Sequence, residues 1–488
     1  MSHSEIATNS RKHALVIGSS MAGLLAARVL SDYFEQVTIV ESDFLPTRPE
    51  WRKGVPQSHH VHVLLTTGLK ILEQLFPGLP NELAAVGAPR IDWTADFPVL
   101  QLGGWAPRFS SNLKMRASSR NLLEWSIRNR LVVDNKVRFL QGTQVIGLLS
   151  DTSNTCVTGV RVRARHDHDL AELSANLVVD TSGRNSPTPQ WLTELGYASP
   201  EETVINSFLG YASRWYQRPA HFQSDWQAVY VLPKPPHQKR GGGVYSVEEN
   251  RWIATLVGVG RDYPPTDEAG FLDFARTMRS PVVYEVLKDA KPLSPIYGYR
   301  RTENRLRHYE KLSHLPENFI VIGDAVCAFN PIYGQGMSVA ALGALTLNRC
   351  LKQQHRGDLV GLSKRFQKQL AKVNTTPWLI ATGEDLRWQT TEGGRPNLVT
   401  RLLHRYFDEV TLLAVESPYT YKVWSEVMHL EKPPTAFFQP GILARLLYSA
   451  IYPRRESEGN GPEQRIPERR GTQEHPYQSQ DGEAGTGV

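Results

Sequence analysis

Three features of the sequence predict a mixed α/β fold, in which a Rossmann-like domain is interleaved with a domain built on an antiparallel sheet. The first is a β-α-β pattern in residues 13–41, and the second is a pair of later strands that each end at an aspartate, Asp180 and Asp324. The third is residues 196–300, where apolar and polar residues alternate with the period of two that marks antiparallel strands. Helical patterns follow in the last quarter of the chain.

The β-α-β unit begins with the apolar strand His13–Ile17, continues through a turn and a helix, and ends in the strand Val37–Glu41. Glu41 follows Gly23 at close to the spacing at which a carboxylate binds an adenosine ribose. Ser20 stands where the dinucleotide fingerprint has its second glycine, and an ordinary tight turn is the alternative. The dinucleotide interpretation predicts cofactor contacts from Glu41 and from the turn Gly18, Ser19, Ser20, Met21, Ala22 and Gly23.

The most informative segment is 318–337. Its strand Phe319–Ile322 leads into Gly323-Asp324, where a carboxylate at a strand end can accept hydrogen bonds from ribityl or ribose hydroxyls. Pro331 then breaks the chain before the helix that starts near Met337. The glycines around Gln335 allow a close backbone approach, and a helix start favours partial negative charge. The expected cofactor contacts are Asp324, Gly334, Gln335, Gly336 and Met337.

A third strand, Ala175–Asp180, precedes the turn Thr181-Ser-Gly183-Arg184. An Asx turn explains Asp180 locally. The three motifs in this order resemble those of the class A flavoprotein monooxygenases of the p-hydroxybenzoate hydroxylase fold. Three further segments, 52–65, 191–197 and 299–309, resemble bacterial hydroxylase-like flavoproteins, which include epoxidases acting on polyether-antibiotic precursors.

The resemblance implies FAD as the cofactor, NAD(P)H as a transient electron donor, and dioxygen and a small molecule of secondary metabolism as substrates. It places Arg120, at the start of a predicted helix, near the FAD phosphates, and it adds Val145 and Asp180 to the cofactor-binding set. Pro331 and the segment containing Gln57, His60 and His62 are expected beside the flavin ring, and these four residues are the catalytic candidates.

The histidines of this segment allow three interpretations. A zinc site lacks an accompanying carboxylate or cysteine, so no metal is expected. A covalent flavin link through one histidine and a hydrogen-bonding scaffold near the flavin are the others, and the scaffold is favoured. If the segment is a strand, His60 and His62 share one face.

Composition describes an ordinary globular protein of 488 residues with a net charge of +6. Its densest basic cluster is 300–308, which is either a solvated surface or a site for NADPH phosphates. No aromatic-interleaved basic stripe indicates nucleic acid, and no apolar run is long enough to span a membrane. Three cysteines without paired spacing and a polar start favour the cytoplasm.

The motif order predicts FAD-binding segments at 12–90, 113–195 and 301–370, substrate-lobe segments at 91–112 and 196–300, a helical region at 371–452 and a disordered tail at 453–488. Within a flavoprotein, hydroxylation and epoxidation of an apolar molecule are not separated by these motifs. A geranylgeranyl-reductase-like reduction of isolated double bonds and flavin binding without turnover are the alternatives. The Trp-x-Trp-x-x-Pro segment of flavin-dependent halogenases is absent, and the sequence does not indicate the oligomeric state.

Overall fold

The computed structural model describes residues 12–166, 169–354, 358–451 and 466–469. The strands of these residues are β1 (His13–Ile17), β2 (Gln36–Val40), β3 (Arg90–Asp92), β4 (Val99–Gln101), β5 (Gly104–Trp105), β6 (Lys114–Arg116), β7 (Val137–Leu140), β8 (Thr143–Ser150), β9 (Val157–Ala164), β10 (Leu170–Ser174), β11 (Leu177–Asp180), β12 (Glu202–Ile205), β13 (Gly210–Gln217), β14 (Ala228–Val231), β15 (Arg240–Val247), β16 (Arg251–Gly258), β17 (Tyr297–Tyr299), β18 (Asn304–Arg307), β19 (Phe319–Val321) and β20 (Cys327–Ala328).

The α-helices lie between these strands and then dominate the C-terminal part. They are α1 (Met21–Leu30), α2 (Thr66–Leu75), α3 (Leu79–Ala85), α4 (Trp93–Asp96), α5 (Arg120–Val133), α6 (Thr188–Glu194), α7 (Glu268–Arg276), α8 (Val282–Leu287), α9 (Gly336–Lys352), α10 (Leu362–Asp385), α11 (Leu398–Glu416), α12 (Pro418–Met428) and α13 (Pro440–Ile451). Short 3₁₀ turns lie at Pro56–His59, Tyr309–Lys311, Gly323–Ala325, Pro331–Tyr333 and Pro434–Phe438.

A parallel sheet of order β19-β11-β1-β2-β7 forms the first lobe. Its strands are short apolar runs that are buried on both faces, and Leu15, Val178 and Ile320 are fully buried. The helix α1 packs against β1 and β2, and the strand β9 packs against β11. The register pairs Ile17 with Asp180 and Asp180 with Val321, so the turns that follow these strands meet at one edge. The predicted α/β fold with a Rossmann-like domain is confirmed.

The second lobe is a seven-stranded sheet of order β17-β13-β16-β15-β14-β4-β5. The strands of this sheet come from residues 196–300 and 91–112. The strand β4 pairs with β14 in the parallel sense. Alternate residues of β14 face opposite sides, as a pleated strand requires. Val229 and Val231 pack in the cluster that contains Phe271 of α7, whereas Tyr230 belongs to a separate cluster on the other face.

Three smaller sheets complete the strand pairing. They are the antiparallel sheet β10-β9-β8, the antiparallel sheet β12-β18-β20, and the pair β3-β6. In the first lobe α9 packs against α1 and α10, and the C-terminal helix α11 packs against α12 and α13. None of the described helices is long and apolar enough to cross a membrane.

Four residues of the predicted tail are described, and they contact the second lobe. The Arg108 guanidinium donates to the carbonyl of Pro467 at 3.0 Å, and Arg469 lies 3.6 Å from the Asp96 carboxylate. Ile466 packs against the apolar cluster around Trp252. The other residues of 453–488 lie outside the described ranges.

Candidate functional site

The turn after β1 and the turn after β19 pack directly against each other at the carboxyl edge of the parallel sheet. Gly18 has a φ of +96°, and a Cβ on Gly23 would lie 1.9 Å from the Gly18 carbonyl oxygen. Gly323 has a φ of +70°, and its Cβ would lie 2.7 Å from that of Ala22. A side chain at Gly23 would open the first turn, and one at Gly323 would push the two turns apart, so packing requires glycine at both positions.

Glu41 closes the first of these turns. Its Oε2 accepts hydrogen bonds from the Ser19 amide at 2.9 Å and the Ser19 hydroxyl at 2.6 Å, and its Oε1 accepts one from the Asp43 amide. Burial opposes ionisation, but the Arg52 guanidinium and the Ser19 hydrogen bonds outweigh it and lower the pKa of Glu41. Glu41 is therefore an anion held at the end of β2, where the sequence places it.

Two buried arginines lie beside this turn. Arg52 forms ion pairs with Asp43 at 3.0 Å, Glu41 at 3.2 Å and Glu124 at 3.0 Å. Arg120, at the start of α5, donates to Ser20 Oγ at 2.7 Å and pairs with Glu124 at 3.1 Å. Arg120 thus reaches the dinucleotide turn, as the resemblance implies. Sequence reasoning missed the role of Arg52, whose partners are spread over residues 41–124.

Asp180 shapes the turn after β11 and does not face open space. It is fully buried, and its oxygens accept hydrogen bonds from the Ser182 amide at 2.8 Å, the Ser186 hydroxyl at 2.5 Å and the Thr188 hydroxyl at 2.6 Å. These three hydrogen bonds fix the turn that follows β11. The direct cofactor contact of Asp180 stays a prediction.

Asp324 lies in the 3₁₀ turn Gly323–Ala325. Its side chain is accessible to solvent, yet desolvation by the surrounding protein raises its pKa, with Arg184 and Arg120 acting in the opposite direction. We infer from these two facts that Asp324 lines an internal cleft. Among the described residues its carboxylate has no hydrogen-bond partner, and Pro331 and Gly336 are likewise accessible. A Cβ on Gly336 would meet nothing within 4 Å, so space remains open at the start of α9.

The turn Pro331–Tyr333 on the wall of this cleft is held by Asp385, at the end of α10. Asp385 accepts hydrogen bonds from the Tyr333 hydroxyl at 2.8 Å, Asn330 Nδ2 at 3.1 Å and Asn304 Nδ2 at 2.7 Å. Burial raises the pKa of Asp385 to about 6, and the hydrogen bonds from Tyr333 and Asn330 oppose that shift. Asp385 was not predicted, because its partners lie far away along the chain.

The histidine segment is not a strand. Residues Pro56–His59 form a 3₁₀ turn, and 61–65 have no regular structure. His60 Nδ1 lies 2.8 Å from Ser213 Oγ, and its ring contacts Tyr211 edge-on. His62 Nδ1 donates to the His60 carbonyl at 3.0 Å, and its ring lies within electrostatic range of Arg120. The two rings therefore have different surroundings, and the shared face expected for a strand is not formed.

Both rings are neutral at physiological pH. Burial lowers the pKa of His60 to about 3, assisted by His62 and His59. Burial and the charge of Arg120 lower the pKa of His62 to about 3, although the hydrogen bond to the His60 carbonyl acts to raise it. Within the described ranges, no group of three or more His, Cys, Asp or Glu side chains is arranged to hold a metal ion.

An aromatic cluster covers the face of the second lobe that meets the histidine segment. Trp93 and Phe97 contact edge-on at 4.6 Å between centroids, Phe97 and Tyr245 at 5.4 Å, and Tyr230 lies 6.3 Å from Tyr245. Val61, Val63 and Ile332 pack against this cluster. In the described part of the chain, the hydroxyls of Tyr230 and Tyr245 have no hydrogen-bond partner, and burial raises the pKa of both phenols.

The remaining predicted residues divide between the cleft and the interior. Gln335 is buried with Oε1 unpartnered among described residues, and Met337 is buried in the first turn of α9. Gln57 is half-buried in the 3₁₀ turn, and Val145 is buried in β8 beside a bulge. In the basic cluster 300–308, Arg305 and Arg307 pair with Glu202 at 3.0 and 2.6 Å, which favours its structural interpretation over a phosphate site.

These residues fit a flavin dinucleotide. A turn with two obligatory glycines, an anion at the end of β2 and a buried arginine suit the adenosine and phosphate portion. An unpartnered carboxylate at Asp324 and open space beside Gly336 suit the ribityl chain and ring. The turn after β1, the helix start at α5 and the turn after β19 thus offer groups of the right chemistry for each portion of the cofactor.

Comparisons with known proteins agree with this geometry. The family described as FAD binding domain matches residues 11–360. Protein Rv3254 of Mycobacterium tuberculosis is 31% identical over 412 residues, which are 79% of this chain and 85% of that protein.

Solved structures share the fold at low identity. The flavin-dependent brominase Bmp2 superposes with a TM-score of 0.64 at 14% identity, over 91% of this chain and 100% of that chain. A flavoprotein/dehydrogenase from Cytophaga hutchinsonii superposes with a TM-score of 0.61 at 16% identity, over 86% of this chain and 92% of that chain. The probable FAD-dependent monooxygenase pqsL from Pseudomonas aeruginosa superposes with a TM-score of 0.55 at 16% identity, over 77% of this chain and 98% of that chain.

Proposed function

The chain belongs to the FAD-binding-domain family as an FAD-dependent oxidoreductase, and from this premise we propose that it is a monooxygenase. In this proposal it uses NAD(P)H and dioxygen to hydroxylate or epoxidise an apolar small molecule. The chemistry comes from the cofactor, so the protein has to bind, orient and exclude water. The arrangement of the cleft supports these three tasks.

The proposal rests mainly on the residues that lie between the Asp324 cleft and the aromatic cluster of the second lobe. Ile332 belongs to the turn that lines the Asp324 cleft, and its side chain also packs against the aromatic cluster of the second lobe. Val61 and Val63, next to His62, pack against the same cluster. A substrate on the aromatic side is therefore separated from the cofactor cleft by a few side chains only.

A reduced FAD bound here would supply the two electrons that activate dioxygen, so that one oxygen atom passes to the substrate and the other leaves as water. The chain's own contribution begins with Arg120 and the turn of Ser20, which bind the phosphates, and with Asp324, which accepts a ribityl hydroxyl. Asp385 orients the turn of Tyr333 through hydrogen bonds. The apolar residues around Tyr245 exclude water, which limits the unproductive release of hydrogen peroxide.

His60 and His62 act in this proposal as a hydrogen-bonding scaffold. Their low pKa values make them neutral imidazoles, so neither supplies a proton from an imidazolium at neutral pH. Acid precipitation of the purified protein should release all FAD into the supernatant, with no yellow colour in the pellet. Flavin retained in the pellet and lost in only one of His60→Ala and His62→Ala would indicate a covalent link instead.

The substrate in this proposal is a mostly apolar molecule with a polar group that meets Tyr230 or Tyr245. Burying an unpartnered phenol hydroxyl is unfavourable, so each hydroxyl is available to orient a ligand. Tyr230→Phe keeps the ring and removes the donor. It should raise KM for a substrate that bonds this hydroxyl and leave FAD reduction unchanged.

The experiment that tests the proposal combines spectra with labelled oxygen. The bound oxidised flavin should bleach with NADPH under anaerobic conditions and recover in air. Candidate alkenes and phenols are then incubated under ¹⁸O₂, and products are analysed by mass spectrometry. Incorporation of one labelled oxygen supports a monooxygenase. A saturated product without label would indicate a double-bond reductase, and the absence of any reduction by NADPH or NADH would indicate a flavin carrier.

A further inference from the structure

Two neighbouring C-terminal helices carry large apolar side chains on their outer surfaces. On α11, Leu398 is 66% exposed and Leu402 is 56% exposed, and on α13, Leu447 is 66% exposed and Ile451 is 69% exposed. Single exposed aliphatic residues are normal, but a group of this size on two packed helices is not. We call this surface the C-terminal apolar face, formed by Leu398, Val399, Leu402, Leu443, Leu447 and Ile451.

The face lies at the exposed ends of two helices whose other ends are packed in an apolar cluster. Along α11, the stripe that begins at the buried Val410 continues through Tyr406 and Leu403 to Val399, which is 64% exposed. On α13, Ile442 is buried in the same apolar cluster as Val410, whereas Leu447 is not covered. Each helix is therefore anchored at one end by packing and presents apolar residues at the other end.

The charges on this face have one sign. Arg401 and Arg405 on α11 and Arg445 on α13 are exposed, and neither 397–407 nor 440–451 contains an aspartate or glutamate. In the described part of the chain, Arg401 and Arg405 form no ion pair, and Arg445 contacts the Gly441 carbonyl and the Tyr419 ring. The surface thus combines aliphatic side chains with unpaired positive charge.

We propose that the C-terminal apolar face binds the surface of an anionic lipid bilayer. Helices with aliphatic residues and arginines at one surface lie in the interface between headgroups and acyl chains, where the apolar side chains are buried and the arginines meet phosphates. A second copy of the chain fits less well, because a twofold pairing of this face brings arginines together without a carboxylate. The proposal does not depend on the proposed reaction.

The test is flotation of the full-length protein with lipid vesicles. The protein is mixed with vesicles of phosphatidylcholine alone or with added phosphatidylglycerol, and its distribution is measured after centrifugation in a density gradient. We expect binding to the anionic vesicles and weaker binding at high salt. The double variant Leu402→Asp/Leu447→Asp should lower the partition coefficient by roughly tenfold or more, and so should Arg401→Gln/Arg405→Gln.

Val132→Asp/Val133→Asp is the matched control, since it makes the same chemical change at two exposed positions at the end of α5. It should float like the parent protein, and the melting temperatures of all variants establish that they are folded. Failure of the parent to bind anionic vesicles would overturn the proposal, as would equal loss of binding in the control. A concentration-dependent dimer in lipid-free solution that Leu402→Asp/Leu447→Asp abolishes would assign the face to a second copy instead.

Discussion

The Tyr333 hydroxyl donates a hydrogen bond to Asp385 over 2.8 Å, although 52 residues separate the two along the chain. Through this bond the last turn of α10 fixes the wall of the cofactor cleft. Asn330 and Asn304 donate to the same buried carboxylate, so one side chain determines the position of the turn.

We expect Asp385→Ala to lower the free energy of unfolding by roughly 2–4 kcal/mol, because it leaves buried donors without an acceptor. FAD affinity should fall as well, since the turn is no longer fixed. Chemical denaturation and flavin titration measure the two effects. Asp408→Ala is the control, because Asp408 forms a partly exposed pair with Arg387 and contacts none of these residues. The free energy of unfolding of Asp408→Ala should fall by at most about 1 kcal/mol. An equal decrease in the two variants would contradict the role of Asp385 in fixing the turn.

The pH dependence of stability should report the ionisation of Asp385. Its pKa is about 6 in the folded protein, against an ordinary value of 3.8. Between these values the folded state keeps a proton that the unfolded chain has released, so stability falls as pH rises through this window and then levels off. The full effect is of the order of 3 kcal/mol. Asp385→Asn, which does not titrate, should lack this decrease when unfolding curves are compared from pH 4 to 7.

Asp324→Ala should weaken FAD binding by about one to two decades, since a hydrogen bond to a charged group contributes roughly 1.5–3 kcal/mol. The carboxylate has no partner in the protein to lose, so folding itself should be little affected. Fluorescence titration of the apoprotein with FAD gives the affinity. Asp289→Ala, on an exposed residue outside the cleft, serves as the control, and an Asp324→Ala protein with unchanged affinity would refute the contact.

Two glycine-to-alanine changes should have opposite effects. In Gly23→Ala the new methyl group would lie 1.9 Å from the Gly18 carbonyl oxygen, so the turn has to open and FAD binding is lost. In Gly383→Ala the methyl group meets nothing within 4 Å inside α10, and we expect a gain of about 0.5–1 kcal/mol. Thermal unfolding and bound-flavin content distinguish them. Normal flavin content in Gly23→Ala would show that the turn tolerates a side chain.

Truncation after Tyr452 should destabilise the second lobe. The sequence alone predicts no effect, because the tail is polar, but the contacts of Ile466, Pro467 and Arg469 with this lobe change the expectation. We expect the free energy of unfolding to fall by about 1–2 kcal/mol, which a lower melting temperature would show. Truncation after Arg469 keeps these contacts and should match the full-length protein. Identical melting of all three proteins would show that the segment contributes nothing.

The parts of the structure that local pattern determines were predictable. The strand β1 has the predicted limits His13–Ile17, and its turn, the following helix and β2 agree within a few residues, because apolar periodicity and glycine position act over short distances. The structure of the histidine segment was left open by the sequence, because its backbone follows the contacts of His60 with Ser213 and Tyr211, which no local pattern contains. α12 lies within the predicted helical region 371–452.

The cleft was predictable only where a motif marks it. Gly323 and Asp324 carry a recognisable signature, and the structure places them against Ala22. Asp385 carries none, since an aspartate near a helix end is common, and only the fold brings Asn304, Asn330 and Tyr333 to it. The same applies to Arg52, because two of its acidic partners, Glu41 and Asp43, follow β2 and the third, Glu124, lies in α5.

The parallel sheet also constrains how the protein forms during synthesis. β1 pairs with β11 about 160 residues later, and β11 pairs with β19 after another 140. In the second lobe, β4 can likewise pair with β14 only after β14 has been synthesised. A ribosome-bound chain that ends before Ala228 therefore lacks partner strands in both lobes, and contacts this distant slow the search for the native state. Each lobe is built from separate segments, so a contiguous fragment of either lobe lacks strands of its sheet, and we expect such fragments to aggregate.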